Sequence, residues 1–204
     1  MPRLEASIKD HLSPVLKGDG FLGSGRTFRR ISEDLIHVVA VQGSRYGSKF
    51  AVNLGIQPRC IPDVVGNSPD ATKIREELCE FRRRLSEATS DQWWEHEGSK
   101  ESMDAAVQAA ASAYKTIGRR LFSELSGPES PLYKVTPGQF EAGQYSFSGF
   151  GSTKVRMARS LALMRQSIGD LVDANAFARI ALASLGNASA LRAEMEELCR
   201  ATES

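Results

Sequence analysis

At the start of the chain apolar residues return every three or four positions. Leu4, Ile8, Leu12, Val15 and Leu16 define one stripe, which predicts an amphipathic helix over 4–17 stopped by Gly18-Asp19-Gly20. Pro14 lies inside that stretch and cannot donate a helical hydrogen bond, so a kink or restart is expected near Ser13. From Arg26 the period shortens to two. Residues 27–31, 35–44 and 49–56 are short β-rich runs separated by Ser32-Glu33-Asp34 and Arg45-Tyr46-Gly47-Ser48, the spacing of two successive hairpins. In the third run Phe50, Val52, Leu54 and Ile56 alternate with Ala51, Asn53 and Gly55, the signature of an antiparallel meander with one buried face.

Pro58, Pro62 and Pro69 punctuate a loop over 57–70. Two readings then stand for 72–85. As a strand, the second half puts Cys79, Phe81, Arg83 and Leu85 on one face and Glu80, Arg82 and Arg84 on the other. As a helix, Ile74, Leu78, Phe81 and Leu85 share a stripe. The strand is preferred for the second half. Residues 91–97, closed by Gly98, read as a further strand. Beyond Ser102, taken as an N-cap, Met103, Val107, Ala110, Tyr114, Ile117, Leu121 and Leu125 step by four and three up to Gly127-Pro128, which predicts one long helix. Residues 129–152 read as loop with a short strand around 144–147. A helical stripe through Met157, Leu161, Met164, Ile168 and Leu171 follows, then helices ending at Leu185-Gly186 and spanning about 189–201.

These elements make an α+β fold: an N-terminal helix on an antiparallel sheet of three to five strands, a long helix across its apolar face, and a C-terminal helical layer. The expected organisation is one α+β domain over 1–127 with a helical extension over 128–204 packed on it. Composition narrows the function classes. With 26 basic and 25 acidic residues, the formal charge of +1 supplies no global field for nucleic acid or an acidic membrane. No apolar run approaches the ~20 residues of a membrane-spanning helix. Met1-Pro2-Arg3-Leu4-Glu5 lacks the apolar core of a signal peptide, and Cys60, Cys79 and Cys199 form no Cys-x-x-Cys pair. A cytoplasmic protein with free thiols is expected.

Several segments in this order resemble a known family. They are Gly20-Phe21, Arg26-Thr27-Phe28-Arg29-Arg30, Val41-Gln42, Phe50-Ala51-Val52-Asn53-Leu54-Gly55-Ile56, Arg82-Arg83-Arg84-Leu85 and Asp91-Gln92-Trp93-Trp94. Together, over about residues 4–125, they resemble the bacterial family catalogued as domain of unknown function 4304. The resemblance implies a small soluble bacterial protein of mixed helix and sheet, and it brings no catalytic residues with it.

The candidate chemistry lies in Arg82, Arg84, Glu95, His96 and Glu97. If 79–85 and 93–97 were neighbouring antiparallel strands, Arg82 and Arg84 would share a face and so would Glu95 and Glu97. The result would be an anion or nucleotide site, or a solvated ladder of ion pairs. His96 alternates to the other side with Trp94, which argues against a metal or catalytic centre. Of the adjacent Trp93 and Trp94, one should be buried and one exposed. Trp94 beside Arg82 and Arg84 is the expected protein-contact anchor. Arg26, Arg29 and Arg30, with Phe28 among them, form a basic segment of the kind that contacts single-stranded nucleic acid. Gly149-Phe150-Gly151-Ser152-Thr153 precedes a helix and serves as an anion loop or simply as an N-cap. The binding residues expected from sequence are therefore Arg82, Arg84, Trp94, Glu95, Glu97 and Arg29, with no catalytic residue, cofactor or metal. The expected function is a protein-interaction module with a protein partner, as monomer or homodimer. A nucleic-acid or nucleotide binder is the alternative, and a Glu/His hydrolase comes third.

Overall fold

The computed structural model describes residues 4–32, 34–86, 91–186 and 189–200; Met1, Pro2, Arg3 and Glu33, named above, and the end of the helix expected over 189–201 lie outside them. The meander closes as β1 (Leu22–Ser24), β2 (Thr27–Ile31), β3 (Leu35–Gly43) and β4 (Lys49–Pro58), each antiparallel to the next, with β5 (Phe81–Arg84) on the far edge of β4. A sixth strand, β6 (Trp94–Glu95), also pairs with β4. Arg84 lies opposite Asn53 and Trp94 opposite Phe50, so β5 and β6 run end to end along one edge and do not pair with each other. The ladder of ion pairs between them that sequence allowed is therefore not formed.

Period-two alternation decides the two faces of the sheet. Phe28, Val39, Val41, Phe50, Val52, Leu54, Ile56 and Phe81 are buried in one continuous cluster with Ile8, Leu12 and Leu16 of the N-terminal helix and Val107, Ala110, Tyr114, Leu121 and Phe122 of the long helix. The N-terminal helix comes in three abutting pieces, Leu4–Ser7, a π turn at Ile8–Leu12, and Ser13–Gly18. The restart falls at Ser13, where the missing N–H of Pro14 leaves a ladder bond unmade. The long helix is built likewise from Lys100–Ala113, a π turn at Tyr114–Gly118, and Arg119–Glu124. Its N-cap is Ser99, not Ser102: the Ser99 hydroxyl accepts the Ser102 N–H at 3.1 Å.

The opposite face is partly covered by the chain over 70–79. Ile36 and Val38 of β3 are buried there with Ile74 and Cys79. Glu76–Leu78 is one 3-10 turn, so the helical reading of 72–85 is not realised; the strand preferred for the second half forms over Phe81–Arg84, starting two residues later than expected, and Cys79 ends up across the sheet from Phe81. Gly55 makes this possible. A Cβ at that position would stand 2.8 Å from the Cys79 sulfur and 3.3 Å from Glu76 Cγ, so only glycine lets the turn lie flat on β4.

Past the long helix, Pro131–Lys134 and Pro137–Glu141 are short helices in what read as loop, the second closed by a capping box between Thr136 and Gln139. No strand forms at 144–147; instead Gly151 makes an isolated antiparallel bridge with Arg82. The single stripe expected from Met157 to Leu171 is two helices, Lys154–Ser167 and Leu171–Ser184. Gly169, at φ +80°, ends the first, and the Asp170 carboxylate caps the second by accepting the Asp173 N–H. Arg192–Arg200 is the last helix. Among the described residues no helix is long and apolar enough to cross a membrane.

Candidate functional site

Beside the 70–79 segment the second face of the sheet stays open and polar. On β5, Arg82 and Arg84 point to this face, opposite Gly55 and Asn53 of β4. Asn53 donates its amide to Gln42 Oε1 at 2.9 Å, and its own oxygen accepts from Arg84 Nε at 3.3 Å. Arg84 Nη1 is paired with Asp91 at 3.0 Å, and its guanidinium lies 4.7 Å from the centre of the Trp93 ring. These side chains form the floor of a cavity of about 500 Å³, walled by Val64, Glu76, Cys79, Glu80, Gly151, Ser152 and Arg156.

Backbone pairing brings the far wall to the floor. Gly151 donates its N–H to the Arg82 carbonyl at 3.1 Å, which sets the start of the 154–167 helix against β5. One turn in, Arg156 Nη2 donates to the Val64 carbonyl at 2.9 Å and to Glu80 Oε1 at 3.2 Å. The Glu80 side chain is completely buried. Its Oε1 also accepts from Arg159 Nη1 at 3.1 Å, and Arg159 in turn grips Glu194 through Nε and Nη2 at 2.6 and 3.0 Å. Glu80 Oε2 has no partner among the described residues. This charged chain, carboxylate to arginine to carboxylate, ties β5 to the C-terminal helices from inside.

The open chemistry of the cavity is mainly donor chemistry. Arg82 spends Nε on Glu76 Oε1 at 2.8 Å, and among the described residues its two terminal nitrogens carry no hydrogen bond. Nε and Nη1 of Arg156 are likewise unspent among the described residues. Glu76 and Asp91 each already take an arginine. Burial raises the Glu76 carboxyl above the usual range, against the opposing pull of Arg82. Burial and the neighbouring Glu76 push the Cys79 thiol up, so it stays protonated and inert. Among the described residues no cluster of His, Cys, Asp or Glu could hold a metal ion.

Of the residues expected from sequence, the fold brings Arg82 and Arg84 together on the cavity floor. Trp94 is placed elsewhere. It is 6% exposed and stacks on Phe50 in the core at 5.8 Å, so the more exposed of the two is the half-buried Trp93, and Trp94 is not placed to anchor a protein contact. Glu95 stands opposite Lys49 and, like Glu97, is exposed to solvent away from the cavity lining. Arg29 donates to the carbonyls of Lys73 and Ile74 and pins the covering segment to the sheet. Arg26 pairs with Glu5 at 2.8 Å, and Arg30 lies 4.9 Å from the Phe21 ring and donates to the Asp19 carbonyl. The basic segment is therefore spent on internal contacts. Sequence reasoning missed Gln42, Asn53, Glu76, Glu80 and Arg156. A signal for the last pair was present: Arg156 and Arg159, three apart, share a helix face with Ser160 and with Leu163, and Glu80 alternates with Arg82 and Arg84.

A family model described as Domain of unknown function (DUF4304) matches residues 12–124. The matched stretch holds the sheet, the long helix, Glu76, Glu80, Arg82 and Arg84, and stops short of Gly151, Ser152 and Arg156. No curated protein and no solved structure matches the chain.

Proposed function

We propose that this chain, which belongs to the family described as domain of unknown function 4304 through a match over more than half its length, is a binding protein for an acceptor-rich anion such as a phosphate group. The observation that carries the reading is the pair of arginines, Arg82 and Arg156, which face one cavity from two elements with donors still unspent. Phosphate oxygens match guanidinium N–H groups in geometry and charge. The free backbone N–H groups at the start of the 154–167 helix add a weaker attraction of the same sign. Glu76 and Glu80 hold the arginines in place by one edge each and leave the other edge for the ligand.

Calorimetric titration of the protein with inorganic phosphate and pyrophosphate tests this. Saturable binding is expected at low ionic strength, weakening as salt is added. Arg82→Gln and Arg156→Gln should each lower affinity about tenfold or more, the worth of a charge-assisted hydrogen bond. No saturable heat with either anion, or unchanged affinity in both variants, sinks the reading.

A further inference from the structure

Next to the polar cavity lies a second one of about 680 Å³, and Val64 and Arg156 line both. Its wall is largely apolar, from Val65, Val155, Ala190 and Leu191 together with Val64. Val65 is 63% exposed, so this wall is open to solvent. Two of the charged groups that reach this space are already engaged. Arg159 is held by Glu80 and Glu194, and Asp63 Oδ1 accepts the N–H groups of Val65 and Asn67 at 3.0 Å each. Apart from Arg156, which the two spaces share, no unspent cation is left there for an anion, whereas apolar surface is.

Val64 and Arg156, which line both spaces, are joined by the 2.9 Å hydrogen bond from Arg156 Nη2 to the Val64 carbonyl. We infer that the ligand is an anionic amphiphile, with its head on Arg82 and Arg156 and an apolar body lying past Val64 in the second cavity. This rests on the anion-binding reading of the first cavity and names the class of ligand it takes. The head occupies the unspent Nε and Nη1 edge of Arg156, so the guanidinium keeps Glu80 while its contact with Val64 opens. Arg156 then does two jobs: it pairs with the charge and marks the point at which polar lining gives way to apolar.

The test compares inorganic phosphate with decyl phosphate, kept below its micelle concentration, and with neutral decanol, by calorimetry on the full chain. Each methylene seated out of water multiplies affinity by about four. Decyl phosphate is therefore expected to bind about a hundredfold more tightly than inorganic phosphate, the effect of three or four seated methylenes. Ala190→Trp, at an exposed position where folding is not at stake, fills the cavity and should abolish that gain while leaving phosphate affinity unchanged. Leu191→Asp should do the same by making the wall polar. Arg82-dependent binding of phosphate without any gain for decyl phosphate overturns this inference and leaves the anion reading standing. A gain that survives both variants, or decanol binding as tightly as decyl phosphate, also overturns it. Failure of phosphate and decyl phosphate alike takes down both readings.

Discussion

Acidification should unfold this protein partly through one histidine. The His37 ring is 1% exposed on the core face of β3, edge-on to Phe122 at 4.8 Å between centres. Ser126 donates its hydroxyl to the Phe122 carbonyl at 2.6 Å, so its oxygen accepts from His37 Nε2 at 3.0 Å. That assigns the Nε2–H tautomer and leaves Nδ1 with no partner among the described residues. A proton on Nδ1 would be a buried donor facing no acceptor. Burial, reinforced by the Arg30 guanidinium and opposed by Asp34, drives the pKa from 6.5 down to about 3. The folded value lies below the unfolded one, so stability is complete above pH 6.5 and is lost as pH falls, because only the unfolded chain takes the proton. The slope is about 1.4 kcal/mol per pH unit, or about 2.5 kcal/mol between pH 7.5 and 4.5. Urea unfolding across that window should show this loss, and His37→Gln, which keeps a donor for Ser126, should flatten the profile by the same amount. Groups common to both proteins cancel in the difference. Parallel pH profiles, or a His37 resonance titrating near 6.5 in the folded protein, would refute the reasoning.

Three further outcomes can be checked by the same unfolding and binding assays. Gly55→Ala should cost about 1–3 kcal/mol by pushing the 76–79 turn off β4, and should weaken phosphate binding because Glu76 can no longer steady Arg82. Glu80→Gln should destabilise by about 3–5 kcal/mol, since Arg159 loses a buried counter-charge; a loss under 1 kcal/mol would mean that Glu194 alone satisfies it. Trp94→Ala should cost about 3–5 kcal/mol and Trp93→Ala under about 1 kcal/mol, and equal costs would contradict the burial of Trp94.

The meander was legible because alternation along β4 is strict: Phe50, Val52, Leu54 and Ile56 could bury only together, and that places Asn53 and Gly55 on the other face. The same rule put Arg82 and Arg84 on one face. It failed for the tryptophans because alternation says that one of two neighbours is buried and not which one. The phase is set by pairing with Phe50, which only the fold supplies. Period alone also ran Met157 to Leu171 into one helix, although Gly169-Asp170 carried both a stop and a cap. The cavity was half legible. Its floor comes from neighbouring strands, whereas Arg156 reaches it from a helix more than seventy residues further along, and no local pattern ties the two.

The isolated bridge between Arg82 and Gly151 also bears on how the molecule comes into being. Among themselves strands β1 to β4 pair only with their neighbours in sequence, so on the ribosome a meander over residues 22–58 can assemble early, through short loops and at low entropic cost. The arginine floor arrives with β5, but its facing wall waits until residues 151–156 have emerged. A chain arrested before that point would carry a nearly finished sheet whose buried Glu80 has neither Arg156 nor Arg159 to meet it. Nascent chains truncated near residue 127 should accordingly resist proteases poorly and gain protection abruptly once the 154–167 helix is free to dock.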